Sequence, residues 1–116
     1  MLHIQSIRPE HIVLSIFRDD EKNLPEKLLS LEKNGNIEII RWDENLKSHL
    51  KYYPAMLKYP EACIVTVDDD IIYQRDMIKN LLRSYMQHKD CVSALRCHRI
   101  KRDSSGYPLK YSQWEY

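Results

Sequence analysis

Apolar residues arrive along this chain in short dense runs separated by polar stretches. Within residues 11–17, Ile12, Val13, Leu14, Ile16 and Phe17 are nearly continuous. That is the pattern of a strand covered on both faces. A polar loop from Arg18 to Asn23 follows, and Pro25 is placed to open a helix with Glu26 behind it. Leu24, Leu28, Leu29 and Leu31 supply its apolar side, and Asn34, Gly35 and Asn36 stop it, because glycine takes the left-handed geometry beyond a last turn. Residues 37–42 predict a second strand through the β-branched Ile37, Ile39 and Ile40. A helical stretch is expected from about Glu44 or Asn45 to Lys58, kinked or split at Pro54 and ended by Pro60.

Residues 62–67 (ACIVTV) read as a buried strand that stops at three acidic residues. Residues 75–88 predict a helix, with Met77, Leu81 and Tyr85 four apart and Ile78 and Leu82 widening the stripe. Residues 91–95 read as a fourth short strand. A polar turn is expected around Asp103, Ser104, Ser105 and Gly106, and residues 107–116 have no clear period. Alternating strands and helices, joined by connections long enough for crossovers, predict a three-layer, Rossmann-like α/β core with a mostly parallel sheet of about four strands. Ligands in such sheets sit beyond the carboxyl ends of the strands.

Composition narrows the function classes. The 116 residues fit one small domain, and 18 Lys+Arg against 17 Asp+Glu leave a net charge of +1. Such balance argues against a duplex nucleic-acid partner, which calls for a basic face. There is no apolar run of membrane-spanning length and no long apolar core of a signal peptide near the start. Cys63, Cys91 and Cys97 form an odd, unpaired set, and Cys63 and Cys91 are expected to be buried within apolar runs. A reduced, cytoplasmic protein is the resulting expectation. Eight tyrosines stand against one phenylalanine and two tryptophans, suiting a groove for polar ligands or a wet interface.

The sharpest chemical feature is the run Asp68, Asp69 and Asp70 at the end of an apolar segment. Neighbouring carboxylates repel, and desolvation raises the cost. A divalent cation offsets both, and hard oxygen ligands suit Mg²⁺ or Mn²⁺. Asp68 and Asp70 share one side if extended geometry persists. Such an ion would neutralise a diphosphate and stabilise it as a leaving group. The competing reading is a solvated loop whose carboxylates favour the start of the following helix.

Residues 64–73 (IVTVDDDIIY) resemble the Asp-x-Asp segment of nucleotide-sugar glycosyltransferases with the GT-A fold, in a bacterial branch related to glycosyltransferase family 2. Residues 46–60 (LKSHLKYYPAMLKYP), 96–100 (RCHRI) and 107–114 (YPLKYSQW) extend the resemblance over roughly residues 12–114. It implies metal-dependent transfer of a sugar from a nucleotide-diphosphate donor to a saccharide acceptor, usually with inversion by direct displacement. Asp70 is implied as the direct metal contact, and Asp68 as a holder of the donor ribose or a metal-bound water. The register of three aspartates leaves Asp69 open to exchange with either. Gln74 stands where the branch usually has proline, which loosens the start of the next helix. The resemblance further implies that residues 1–116 are a partial GT-A domain, lacking the usual first strand and the acceptor-side part. Of the downstream carboxylate that the family uses as a base, only Glu115 follows Trp114, and no catalytic base is assigned.

Other residues carry weaker expectations. Arg96, His98 and Arg99 form a basic trio suited to donor phosphates or acceptor sugar, or to blunting an edge strand. Lys47 and Lys51, four apart, are expected on one helix face, with Lys51 near the donor by resemblance. Tyr111 and Trp114 are candidates to stack on a sugar ring, or simply to cap the sheet. Asp19 and Asp20 could touch a nucleotide. Two other functions compete: a receiver-like phosphoacceptor module using Asp19, Asp20 and Asp68, and a non-catalytic fragment that covers exposed edges by forming a homo-oligomer.

Overall fold

The computed structural model describes residues 2–115. It is a mixed α/β chain in two compact units, one ending at Ile78 and the other beginning at Lys79.

The first unit is built on a parallel pair of strands. β1 (Val13–Phe17) and β2 (Glu38–Trp42) align Val13 with Glu38 and Phe17 with Trp42. Parallel neighbours need a crossover, and here it holds a 3-10 turn (Arg18–Asn23) and helix α1 (Glu26–Lys33). Pro25 precedes α1, where its fixed φ and missing N–H cost nothing. Gly35, at φ +71°, ends the helix. Its N–H donates to the Glu32 carbonyl at 2.9 Å, and the Asn36 N–H reaches the Leu31 carbonyl at 2.9 Å, so two carbonyls of the last turn are satisfied.

The expected helix before Pro60 is shorter and broken. A 3-10 turn covers Lys47–Lys51 and α2 covers Tyr53–Lys58. The Asn45 side chain accepts the Lys47 N–H at 3.1 Å, and Lys47 itself takes φ +51°. A left-handed residue cannot lie inside an α-helix, so Lys47 and Lys51 bound a 3-10 turn rather than share an α-helical face. Pro54 falls in the first turn of α2 and is fully buried.

Helix α3 (Met77–Gln87) lies within the expected span. Its first residues, Met77 and Ile78, join Ile39, Pro54 and Ala55 as the buried apolar residues of the first unit. Gln5 is buried with them and is satisfied at both ends. Its Nε2 donates to the Gln74 carbonyl at 2.9 Å, and its Oε1 accepts the Ile78 N–H at 3.2 Å. Gln74 thus serves the start of α3 through its backbone.

The four-strand expectation is corrected to two strands among the described residues. Residues 62–67 and 91–95 form no ladder. An apolar run becomes a strand only where a neighbour takes its backbone groups, and neither segment has such pairing. Cys63 and Cys91, expected to be buried, are exposed, as is Cys97. Val92 is 96% exposed. β1 is half-buried along its length rather than covered on both faces.

In the second unit, the segment after residue 95 folds back on itself through antiparallel bridges, Arg99 with Glu115 and Arg102 with Pro108. The expected polar turn lies between them. The Asp103 carboxylate accepts the Ser105 and Tyr107 N–H groups at 2.8 and 3.0 Å, and Gly106 takes φ +85°. A 3-10 turn over Tyr111–Gln113 precedes Trp114.

Candidate functional site

The acidic run leaves residues 62–67 and enters a turn at Asp69 and Asp70. The Tyr73 hydroxyl, five residues on, accepts the Asp68 N–H at 2.9 Å. Lys51 reaches across 17 positions of sequence to form an ion pair with Asp68 through Nζ and Oδ1. Both partners are about half exposed, so the pair is screened and modest in strength. Asp69 and Asp70 are exposed. Since the segment is not a strand, Asp68 and Asp70 are not placed on one side by pleating. Proximity in one turn is what relates them.

Among the described residues, no group of three or more His, Cys, Asp or Glu side chains converges as a preformed metal cage. Mg²⁺ and similar ions do not need one. They are commonly held by one or two carboxylates together with substrate phosphates. Exposed Asp70 and Asp69, beside the half-paired Asp68, fit that mode in donor chemistry.

The basic trio belongs to the second unit. His98 Nε2 lies 3.1 Å from the Tyr111 hydroxyl, and the two rings are tilted with centroids 5.1 Å apart. Arg99 exchanges backbone hydrogen bonds with Glu115 at 2.7 and 3.2 Å. Glu115 also pairs with Lys101 at 2.5 Å, and that hydrogen bond holds its carboxyl below the ordinary carboxylate range. Arg96 and Arg99 are exposed. Tyr111 meets Trp114 edge-on at 5.3 Å, and the Trp114 Nε1–H donates to the Leu109 carbonyl at 2.9 Å. Asp19 and Asp20 are exposed in the 3-10 turn after β1.

Two polar clusters went unmarked in the sequence reading. Arg41 on β2 reaches Glu32 with both terminal nitrogens, at 2.7 and 2.8 Å, and Glu21 through Nε at 2.5 Å. Glu38, at the start of β2, accepts from Lys58 and from the Tyr59 hydroxyl, and His11 stacks on the Tyr59 ring at 4.4 Å. Desolvation pushes the Glu38 carboxyl up, but the Lys58 and Tyr59 hydrogen bonds outweigh it and hold it below its ordinary value. Glu38 and His11, with His3, Arg8, Glu10 and Asn36, line an open cleft of about 440 Å³. This cleft lies at the amino ends of β1 and β2. The only sequence signal for these clusters is charge in strands and turns, which spacing alone does not pair.

Comparison with protein-family models, with curated proteins and with solved structures gave no match. Among the described residues, no helix is long and apolar enough to cross a membrane.

Proposed function

We propose that this chain carries the donor-binding part of a GT-A-type nucleotide-diphospho-sugar transferase core. In the full family domain that core transfers a sugar to a saccharide acceptor. The observation that carries the reading is the end of the apolar segment 62–67, where Lys51 and the Tyr73 hydroxyl hold Asp68 and leave Asp69 and Asp70 open in one turn. In this reading the two parallel strands belong to a three-layer core. Asp70 and Asp68 would hold Mn²⁺ or Mg²⁺ together with the donor's own phosphate oxygens. The bound ion would neutralise the diphosphate and make it a better leaving group.

The chain's residues have their own tasks. Asp68 and Asp69 are candidates for the donor ribose. Lys51 sets a positive charge at Asp68, where an incoming diphosphate gains a counter-charge. Arg96, His98 and Arg99 are candidates for phosphate or sugar oxygens on their own chemistry. Three exposed free thiols suit a reducing, cytoplasmic setting.

The test is calorimetric titration of the 116-residue chain with UDP and with GDP, each with and without Mn²⁺. Binding by one nucleotide that depends on Mn²⁺ is the expected result. Asp70→Asn should weaken it by about tenfold or more, a change of about 1.4 kcal/mol. The variant's thermal midpoint should stay close to that of the parent, because Asp70 is exposed. Equal binding by parent and variant would remove Asp70 from the role. A folded chain that binds neither nucleotide would overturn the reading.

A further inference from the structure

The whole-chain charge of +1 hides an uneven distribution. Residues 79–116 carry eight Lys and Arg against three Asp and Glu, a net +5 with histidines neutral. Residues 1–78 carry ten against fourteen, a net −4. Two of the three acidic residues of the second unit are already spent inside it. Glu115 pairs with Lys101, and the Asp103 carboxylate accepts the Ser105 and Tyr107 N–H groups. Among the described residues, exposed Lys79, Arg83, Lys89 and Lys110 form no ion pair. A unit so charged is drawn to an anionic partner.

Its apolar side chains narrow the choice of partner. Val92 is 96% exposed, and Met86, Leu95 and Ile100 are exposed as well. They interleave with the cations. On α3, Lys79, Arg83 and Met86 are four and three residues apart and share one helix face. In the fold-back, the Arg102–Pro108 bridge and strand alternation place Ile100 and Lys110 on the face of Arg102. Residues 92–102 set Val92, Leu95 and Ile100 among Arg96, Arg99, Lys101 and Arg102. A single-stranded nucleic acid stacks on aromatic rings and gains little from exposed aliphatic groups. A bilayer with anionic headgroups takes both kinds of side chain. Its phosphates meet the cations, and the boundary of its acyl chains takes the aliphatic tips. The long stems of Lys and Arg keep their charge at headgroup level while shorter apolar neighbours go deeper. We propose that the second unit docks on an anionic lipid surface, with the cations of α3 and of residues 89–110 against the headgroups and Val92, Leu95 and Ile100 in the interface. The docking needs neither metal nor nucleotide and does not rest on the donor reading.

The experiment is flotation of the whole chain with vesicles of phosphatidylcholine, alone or with roughly a third phosphatidylglycerol, in about 0.1 M salt. The chain should float with the anionic vesicles and partition to them at least about tenfold better than to the neutral ones, since each cation near such a surface is worth about fivefold. Salt at about 0.5 M should release most of it. The double variant Arg83→Glu, Lys89→Glu should weaken binding by about tenfold or more. Lys22→Glu, Lys27→Glu makes the same change in total charge on exposed residues of the first unit and should leave binding nearly as it was. Val92→Ser, which removes apolar contact without adding charge, should weaken it by about threefold or more. Soluble glycerol phosphate in excess should not displace the chain, because a single phosphate offers neither the array of charges nor the apolar boundary.

Equal flotation with neutral and anionic vesicles would overturn the proposal. So would equal weakening by the two double variants, which would make net charge alone the cause, or unchanged binding by Val92→Ser. Displacement by glycerol phosphate would replace the lipid surface with a free-phosphate site. A folded chain that retards a single-stranded oligouridylate but does not float would overturn the docking in favour of nucleic acid.

Discussion

Arg41 shows how much a single side chain can tie together here. It stands on β2, takes Glu32 of α1 in a two-pronged contact and holds Glu21 of the preceding 3-10 turn. Its side chain is 24% exposed, against 53% and 79% for Arg18 and Asp43, which form a simple surface pair. The hydrogen bonds to Glu32 and then to Glu21 raise the Arg41 pKa further above its ordinary value, while Glu32 is held below its own by the same contact. A less exposed cation shared by two carboxylates contributes more than an exposed pair that water screens. Arg41→Ala is therefore expected to lower the thermal midpoint by several degrees, and Arg18→Ala to leave it nearly unchanged. Arg41→Lys should recover little, because an ammonium cannot hold both oxygens of Glu32 and also reach Glu21. Circular dichroism melts of the three variants would check this; equal midpoints for Arg41→Ala and Arg18→Ala would contradict it.

At the scale of elements, α1 tests the link from sequence to local structure most directly. Gly35 ends it at φ +71°, and no atom lies within 4 Å of where a Cβ would stand. Gly35→Ala thus meets backbone strain without a clash and should cost about 1–2 kcal/mol in a urea melt. Gly35→Asn should cost less, since asparagine tolerates the left-handed region. β1, α1 and β2 were legible in the sequence because several local signals agree there: β-branched runs, Pro25 before the helix and Gly35 after it. Residues 62–67 and 91–95 carry only one of those signals, an apolar run, and a run does not say which neighbour will take its backbone hydrogen bonds. Lys47 was misread because the Asn45 side chain competes for its N–H, a choice that helix periodicity does not register. The site was legible in part. The acidic run stands out by composition, and Lys51 was singled out by resemblance. The Tyr73 hydroxyl on the Asp68 amide was not foreseen, because it is set by the path of the turn rather than by residue type.

Across the whole molecule, both units should respond to acid in the same direction. In the first, Glu38 is held below its ordinary value of 4.5 by Lys58 and Tyr59 against an opposing desolvation, and Asp43 below 3.8 by Arg18. In the second, Glu115 is held below 4.5 by Lys101. A carboxyl with a depressed folded pKa binds fewer protons folded than unfolded between the two values, so stability rises with pH across that interval. The contribution is complete above the unfolded value and is lost as pH falls through the folded one. At the alkaline end the signs reverse. The hydrogen bond to Glu38 raises Tyr59 above 10.0 and Lys58 above 10.5, so their contribution is full below those values and is lost as pH rises through the raised ones. Urea midpoints should therefore be flat between the two limbs, fall below pH 4.5 and fall again above pH 10.0. Because these pairs are partly exposed, both limbs should flatten in high salt. Glu38→Gln separates this cluster from the rest. It removes the titrating carboxylate that serves both ends, so the variant should start from a lower midpoint and lose less at either extreme. A variant with the parent's acid and alkaline slopes would show that Glu38 does not link Lys58 and Tyr59 to the fold.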